Sequence, residues 1–206
     1  SRGLGDVYKR QMLRELEREI SNCERCDVGR REKRRIGYKL PLDLEHADSE
    51  VMFIGICPGD SWFRAEKDMK NPRPVRRSDF IRLLEEEVGI DSKSFYGTNI
   101  VKCACVSNPN ALSGNNGNPI IFEILHCSPF LDREIKILRP RLIVTIGRIP
   151  AEYFGIRQSG KHVKNKELKC HILSVRHYSN QRNGREQLRS QLGKVKEIVR
   201  TGGLIS

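Results

Sequence analysis

Four short apolar runs do most to limit the fold of this chain. They are Val51–Gly55, 95–102, Leu142–Ile146 and Cys170–Val175, and segments of helical periodicity lie between and around them. Strands that alternate with helices imply right-handed crossovers and a mainly parallel sheet. The helical patterns have clear signals. Residues 12–20 place Leu13, Leu16 and Ile20 on one face. Residues 78–88 begin with the capping type Ser78, carry Asp79 in the first turn and stop at Gly89. Residues 120–138 form a pattern disturbed at Pro129 and closed by Pro140, and a short helix is expected after Gly147. Residues 184–200 turn Leu188, Leu192, Val195 and Val199 inward. The stretch 108–118 is rich in Asn, Gly, Pro and Ser and reads as a loop. The expected architecture is α/β, with a mainly parallel four-stranded central sheet.

In such sheets the ligand crevice lies outside the carboxyl ends of the strands. The unusual residues of this chain fall there. Ile56-Cys57-Pro58-Gly59-Asp60 follows the first strand, and Asn99 lies near the end of the second. Gly147-Arg148 follows the third, and Arg176-His177-Tyr178-Ser179 follows the fourth.

The 206 residues suffice for one domain with its own core. A single domain is expected over 12–206. Residues 1–11 read as a cloning or assembly remnant, because Asp6-Val7-Tyr8-Lys9-Arg10-Gln11 looks like the translated end of a transposase-based sequencing library. The chain has no apolar run long enough to span a bilayer and no apolar leader, so a cytoplasmic, nucleoid-associated protein without a membrane partner is expected. The formal net charge of +12 favours a polyanionic partner, nucleic acid before a membrane surface. A generally solvated basic surface is the plainer alternative. The stretch 30–39 holds six basic residues against one acid, Glu32, and 64–77 is also basic. No Gly-x-x-x-x-Gly-Lys occurs, which counts against phosphate-loop chemistry.

Seven cysteines in a chain with no export signal favour metal ligation over a disulfide framework. Cys23 and Cys26 form a Cys-x-x-Cys, while Cys103 and Cys127 are dispersed. Four thiolates suit an iron–sulfur cluster or a structural zinc, and the spacing does not choose between them.

The ordered motifs are Cys-x-x-Cys, Gly-x-x-Pro-Gly, Thr-Asn-Ile-Val-Lys-Cys, His-Cys-x-Pro-Phe-Leu, Pro-x-Leu-Ile-Val-Thr-Ile-Gly and a late His-x-Ser. Each is weak alone, but the six in this order resemble the family 4 uracil-DNA glycosylases over residues 21–203. The resemblance implies a three-layer α/β/α fold and a DNA repair enzyme acting as a monomer on uracil-containing DNA. It implies a structural [4Fe-4S] cluster on Cys23, Cys26, Cys103 and Cys127, with structural Zn as the alternative; Cys57 and Cys170 read as packed residues. Asn99 matches the base-reading asparagine. One amide offers a donor and an acceptor, complementary to uracil O4 and N3–H and mismatched to cytosine. His177 matches the histidine that donates to the departing base. His46, His126, His162 and His171 read as surface or packing residues. Gly55, Ile56, Cys57, Pro58 and Gly59 occupy the positions of the motif lining the base, with Gly55, Pro58 and Gly59 matching it. The loop 179–185, with Ser179, Arg182 and Arg185, matches the segment that wedges into the duplex, and Arg176 just before it is a further candidate for DNA binding.

Three positions depart from the pattern. Family 4 usually reads Gly-Glu-x-Pro-Gly, with the glutamate a candidate for positioning water; here Ile56 replaces it. Family 5 also lacks that acid, reading Gly-Leu-Ala-Pro-Ala. Asp60 is the candidate substitute. Tyr178 stands where the family has proline, and Asn71-Pro72-Arg73-Pro74-Val75 replaces the segment of the base-stacking phenylalanine, which leaves Phe63 or Trp62 as candidates for that role. The missing acid also admits a glycosylase for another base, or a silent iron–sulfur DNA-binding paralogue.

Overall fold

The computed structural model describes residues 2–25, 42–57, 83–103, 121–177 and 184–201. These fall into two compact units. The first comprises Ser1–Ala47, Ile56–Val75 and Asn99–Ile137; the second comprises Asp48–Gly55, Arg76–Thr98 and Leu138–Ser206.

The second unit is built on the sheet, all of whose strand residues except Asn99 belong to it. Its strands are β1 (Val51–Gly55), β2 (Tyr96–Asn99), β3 (Leu142–Ile146), β4 (His162–Asn165) and β5 (Cys170–Val175), in the order β2-β1-β3-β5-β4. β1 pairs parallel with β3 (Val51 with Leu142), and β3 pairs parallel with β5 (Leu142 with His171). β1, β3 and β5 occupy the residues expected. The sheet has five strands, not four: β4 pairs antiparallel with β5 in a hairpin. Its sequence, His-Val-Lys-Asn, has one apolar residue and alternates between exposed and half-buried positions, so it carries no apolar run to read. A lysine on a short edge strand also guards against pairing with another chain. β2 is shorter than the run 95–102 suggested and follows a one-turn helix at Ser92–Ser94.

One face of the sheet forms a core with the C-terminal helix α4 (Gly184–Thr201). Val51, Phe53, Leu142, Val144, Ile146, Leu173 and Val175 pack with Leu188, Leu192, Val195 and Val199, the four inward positions expected. The Phe53 and Phe95 rings meet edge-on with centroids 4.6 Å apart. Burying each such side chain contributes roughly 1.5–3 kcal/mol, so this helix is held by its apolar stripe. Leu83–Val88 forms a single π-helical turn. Gly89, in the left-handed region at φ +68°, ends it as predicted, and the Ile90 N–H donates to the Leu84 carbonyl at 2.9 Å. The start of that pattern, 78–82, lies outside the described residues.

The first unit contains α1 (Arg2–Ser21) and α2 (Ile121–Leu138). α1 begins well before residue 12, yet its buried positions are the expected Leu13, Leu16 and Ile20. α2 runs unbroken through Pro129, against expectation. Proline cannot supply the N–H that the Leu125 carbonyl would take in an α-helix. The Ser128 hydroxyl donates to that carbonyl instead, at 3.4 Å. Arg133 of α2 makes a two-pronged ion pair with Glu19 of α1, one prong at 2.7 Å. That hydrogen bond holds the Glu19 carboxyl below its usual range. The loop at 108–118 lies outside the described residues. Among the described residues no helix is long and apolar enough to cross a membrane.

Candidate functional site

Within the second unit, the parallel strands bring their carboxyl ends to one edge. Gly55 closes β1, Gly147 follows β3, and Arg176 and His177 follow β5. The Gly147 N–H donates to the Val175 carbonyl at 2.8 Å, tying the two strand ends together. Gly147 has φ +90°, a conformation L side chains rarely adopt. A Cβ there would stand 3.4 Å from the Cβ of His177 and 3.6 Å from its Cδ2. Gly147 therefore does two things: it makes the turn from β3 into α3 (Arg148–Tyr153) and forms the seat of the His177 side chain. Burial lowers the pKa of that imidazole below the ordinary histidine value, so His177 is neutral at pH 7. The residue before it is fixed from α4, where Gln191 Oε1 accepts from the Arg176 N–H at 2.8 Å and from the Ser159 hydroxyl at 3.2 Å. The sequence contained no signal for Gln191.

Within the first unit, Ile56 and Cys57 meet the segment that carries Asn99. The Val101 N–H donates to the Ile56 carbonyl at 2.9 Å. Asn99 is half-buried at the end of β2. Lys102 turns back on it, its ammonium donating to the Asn99 carbonyl at 2.7 Å. That ammonium also forms an ion pair with Glu134 of α2, and both side chains are buried. Glu134 does carry a signal: it falls on the buried stripe of Phe130, Leu131, Ile135 and Leu138, where a carboxylate needs a partner.

The cysteines divide clearly. Cys103 and Cys127 are buried, and the Lys102 backbone N–H donates to Cys127 Sγ at 3.1 Å. Cys23 is half-buried just beyond the end of α1. Arg25, inside the Cys-x-x-Cys, lies over the Phe130 ring at 4.8 Å from its centroid. Phe130 sits one turn along α2 from Cys127. Thus Arg25 is held against the helix that carries Cys127. Cys26 lies outside the described residues, and among those described no three Cys, His, Asp or Glu side chains gather to hold a metal. Cys170 is buried in the sheet, and burial pushes its thiol up to about 11, which suits the packing role expected.

The other histidines have local partners. His46 pairs with Asp43 at 2.7 Å, and His126 Nδ1 lies 2.6 Å from the Phe122 carbonyl of its own helix. His162 and His171 face each other across the hairpin, with 2.9 Å between ring nitrogens. Asp60, Pro58, Gly59, Phe63, Ser179 and Arg182, the side chain of Arg185 and the basic stretches 30–39 and 64–77 lie outside the described residues.

The sequence pattern of the "Uracil DNA glycosylase superfamily" matches residues 42–198, more than half of the chain and all of the strand ends above. The chain belongs to the uracil-DNA glycosylase superfamily. Its α/β fold with a mainly parallel sheet is consistent with the three-layer α/β/α arrangement of that superfamily. Among curated relatives it is similar to the type-4 uracil-DNA glycosylase of Sulfurisphaera tokodaii, 30% identical over 145 residues, covering 68% of this chain and 57% of the relative. It is similar to that of Saccharolobus solfataricus, 30% identical over 135 residues, covering 66% and 55%. The enzyme of Archaeoglobus fulgidus is 29% identical over 146 residues, covering 69% and 63%. The chain thus spans between one half and two thirds of the length of these relatives.

Proposed function

We propose that this protein is a DNA repair glycosylase that flips uracil from the stack and hydrolyses its N-glycosidic bond, leaving an abasic site and an intact backbone. The superfamily match across 42–198 carries the reading, because that span contains Gly55, Asn99 and His177. The type-4 names of the relatives support uracil as the base.

Asn99 reads the base, its amide pairing with O4 and N3–H. As the bond breaks, negative charge gathers on uracil O2. A neutral His177 still carries one N–H, which donates there, and one such donor is worth about 3 kcal/mol in the transition state. With Ile56 in place of an acid, bond cleavage runs ahead of water attack, and Asp60 has at most a supporting role. DNA is held as a polyanion by Arg176, Arg182 and Arg185 with Ser179, by one copy of the protein.

Cys23, Cys26, Cys103 and Cys127 would hold a [4Fe-4S] cluster. Two buried thiols, an N–H donor on Cys127 and the Arg25–Phe130 contact favour it. Such a group, when bound, ties the N-terminal segment to two points of the fold. Anaerobically purified protein should be brown from thiolate-to-iron absorption; a colourless protein with one zinc would contradict the cluster. Ile56 also favours a second reading, a glycosylase for another base or a silent iron–sulfur DNA-binding paralogue.

The test is a uracil-containing oligonucleotide. Release of free uracil, with an alkali-labile abasic site, is expected. An intact strand after prolonged incubation with the pure protein would overturn the proposal.

A further inference from the structure

The Lys102–Glu134 pair serves no purpose in the chemistry above, yet it is deeply placed. Lys102 is 4% exposed and Glu134 0%. Burying two opposite charges is a poor means of stabilising a fold. Desolvation costs several kcal/mol per ion, and a well-packed apolar pair of the same volume does as well or better. An ammonium can do something an apolar side chain cannot: it has three donors to aim. Glu134 engages the ammonium from α2, and the Asn99 carbonyl accepts from it at 2.7 Å. The Lys102 backbone is anchored independently, its N–H on Cys127 Sγ at 3.1 Å. Lysine three residues after Asn99 folds back on it, while Glu134, set in the apolar stripe of a helix, holds the lysine in that pose.

We propose that Lys102, oriented by Glu134, is a positioning residue for Asn99: by fixing the Asn99 backbone carbonyl it sets the direction in which the amide meets the base. The proposal rests on the reading of Asn99 as the base-reading residue. It also explains the use of charge at this depth. A base-reading amide tolerates little error, since a misplacement of about 1 Å can cost about 100-fold in rate.

Removing only one partner would strand a buried charge, so the informative variant exchanges both, Lys102→Met with Glu134→Leu. Single-turnover excision of uracil from an oligonucleotide gives two readouts. A purely structural role lowers the amplitude, because less protein is active. A positioning role lowers the rate constant at full amplitude and unchanged DNA affinity. The expected fall is about 10- to 100-fold. A double-mutant cycle with Asn99→Ala decides the matter. With Asn99 already alanine, the Met/Leu exchange should leave the rate constant unchanged. An equal loss in both backgrounds, or a parent-like rate constant with Asn99 present, overturns the proposal. If the exchanged pair does not fold, Glu134→Gln takes its place. It should lower the rate constant several-fold only when Asn99 is present; a parent rate, or a loss that persists with Asn99→Ala, counts against the idea. A parent protein that releases no uracil refutes the underlying reading, and a parent-like rate for Asn99→Ala alone refutes the role of Asn99.

Discussion

His177 shows how burial tunes a single side chain. It is seated on a glycine with no side chain to crowd it, and burial lowers its pKa. The consequence for stability has a definite sign. The unfolded chain takes up a proton as the pH falls through about 6.5, before the folded protein does. Stability is therefore full above that value and declines as the pH falls toward the lower folded value. His162 contributes with the same sign, because burial and then the His171 and Lys194 charges lower its pKa. Urea midpoints at pH 8 and at about pH 5.5 should drop more for the parent than for His177→Gln; equal drops would show that His177 is not the group responsible. At this scale the sequence was informative about position and silent about partners. The positions of Asn99, His177 and Gly147 at strand ends were legible because the strands themselves were. The contacts of Lys102 and Gln191 were not, because a long polar side chain gives no hint of what it will reach. Only Glu134, on an apolar stripe, marked itself.

Elements were legible where burial dictated the residues. β1, β3 and β5 are predominantly apolar and almost wholly buried, and the inward face of α4 is a four-residue stripe. β4 escaped because an exposed edge strand needs no apolar run. The π-turn and the passage of α2 through Pro129 escaped because both depend on substitute hydrogen bonds that composition does not encode. The stripe of α4 makes a direct prediction. Leu192 is completely buried between α4 and the sheet. Leu192→Ala should cost about 2–5 kcal/mol of stability, read as a lower urea midpoint with an unchanged slope. A loss below about 1 kcal/mol would mean that the helix is not held by this core.

For the whole molecule, the charge of +12 has a measurable signature in DNA binding. Each phosphate neutralised should add about −0.9 to the slope of log K against log salt on duplex DNA, with little dependence on sequence. A flat response would show that the basic residues merely face solvent. On the proposed mechanism the protein releases uracil by stabilising the departing base, without a strong base at position 56. That mechanism is tested most directly by single-turnover excision from a uracil-containing duplex by the parent, His177→Ala and Asp60→Asn. His177→Ala should lose about 100-fold or more in rate with DNA affinity little changed, and Asp60→Asn clearly less. If Asp60→Asn proves the more damaging, water activation by Asp60 governs the reaction, and the leading role of His177 is contradicted.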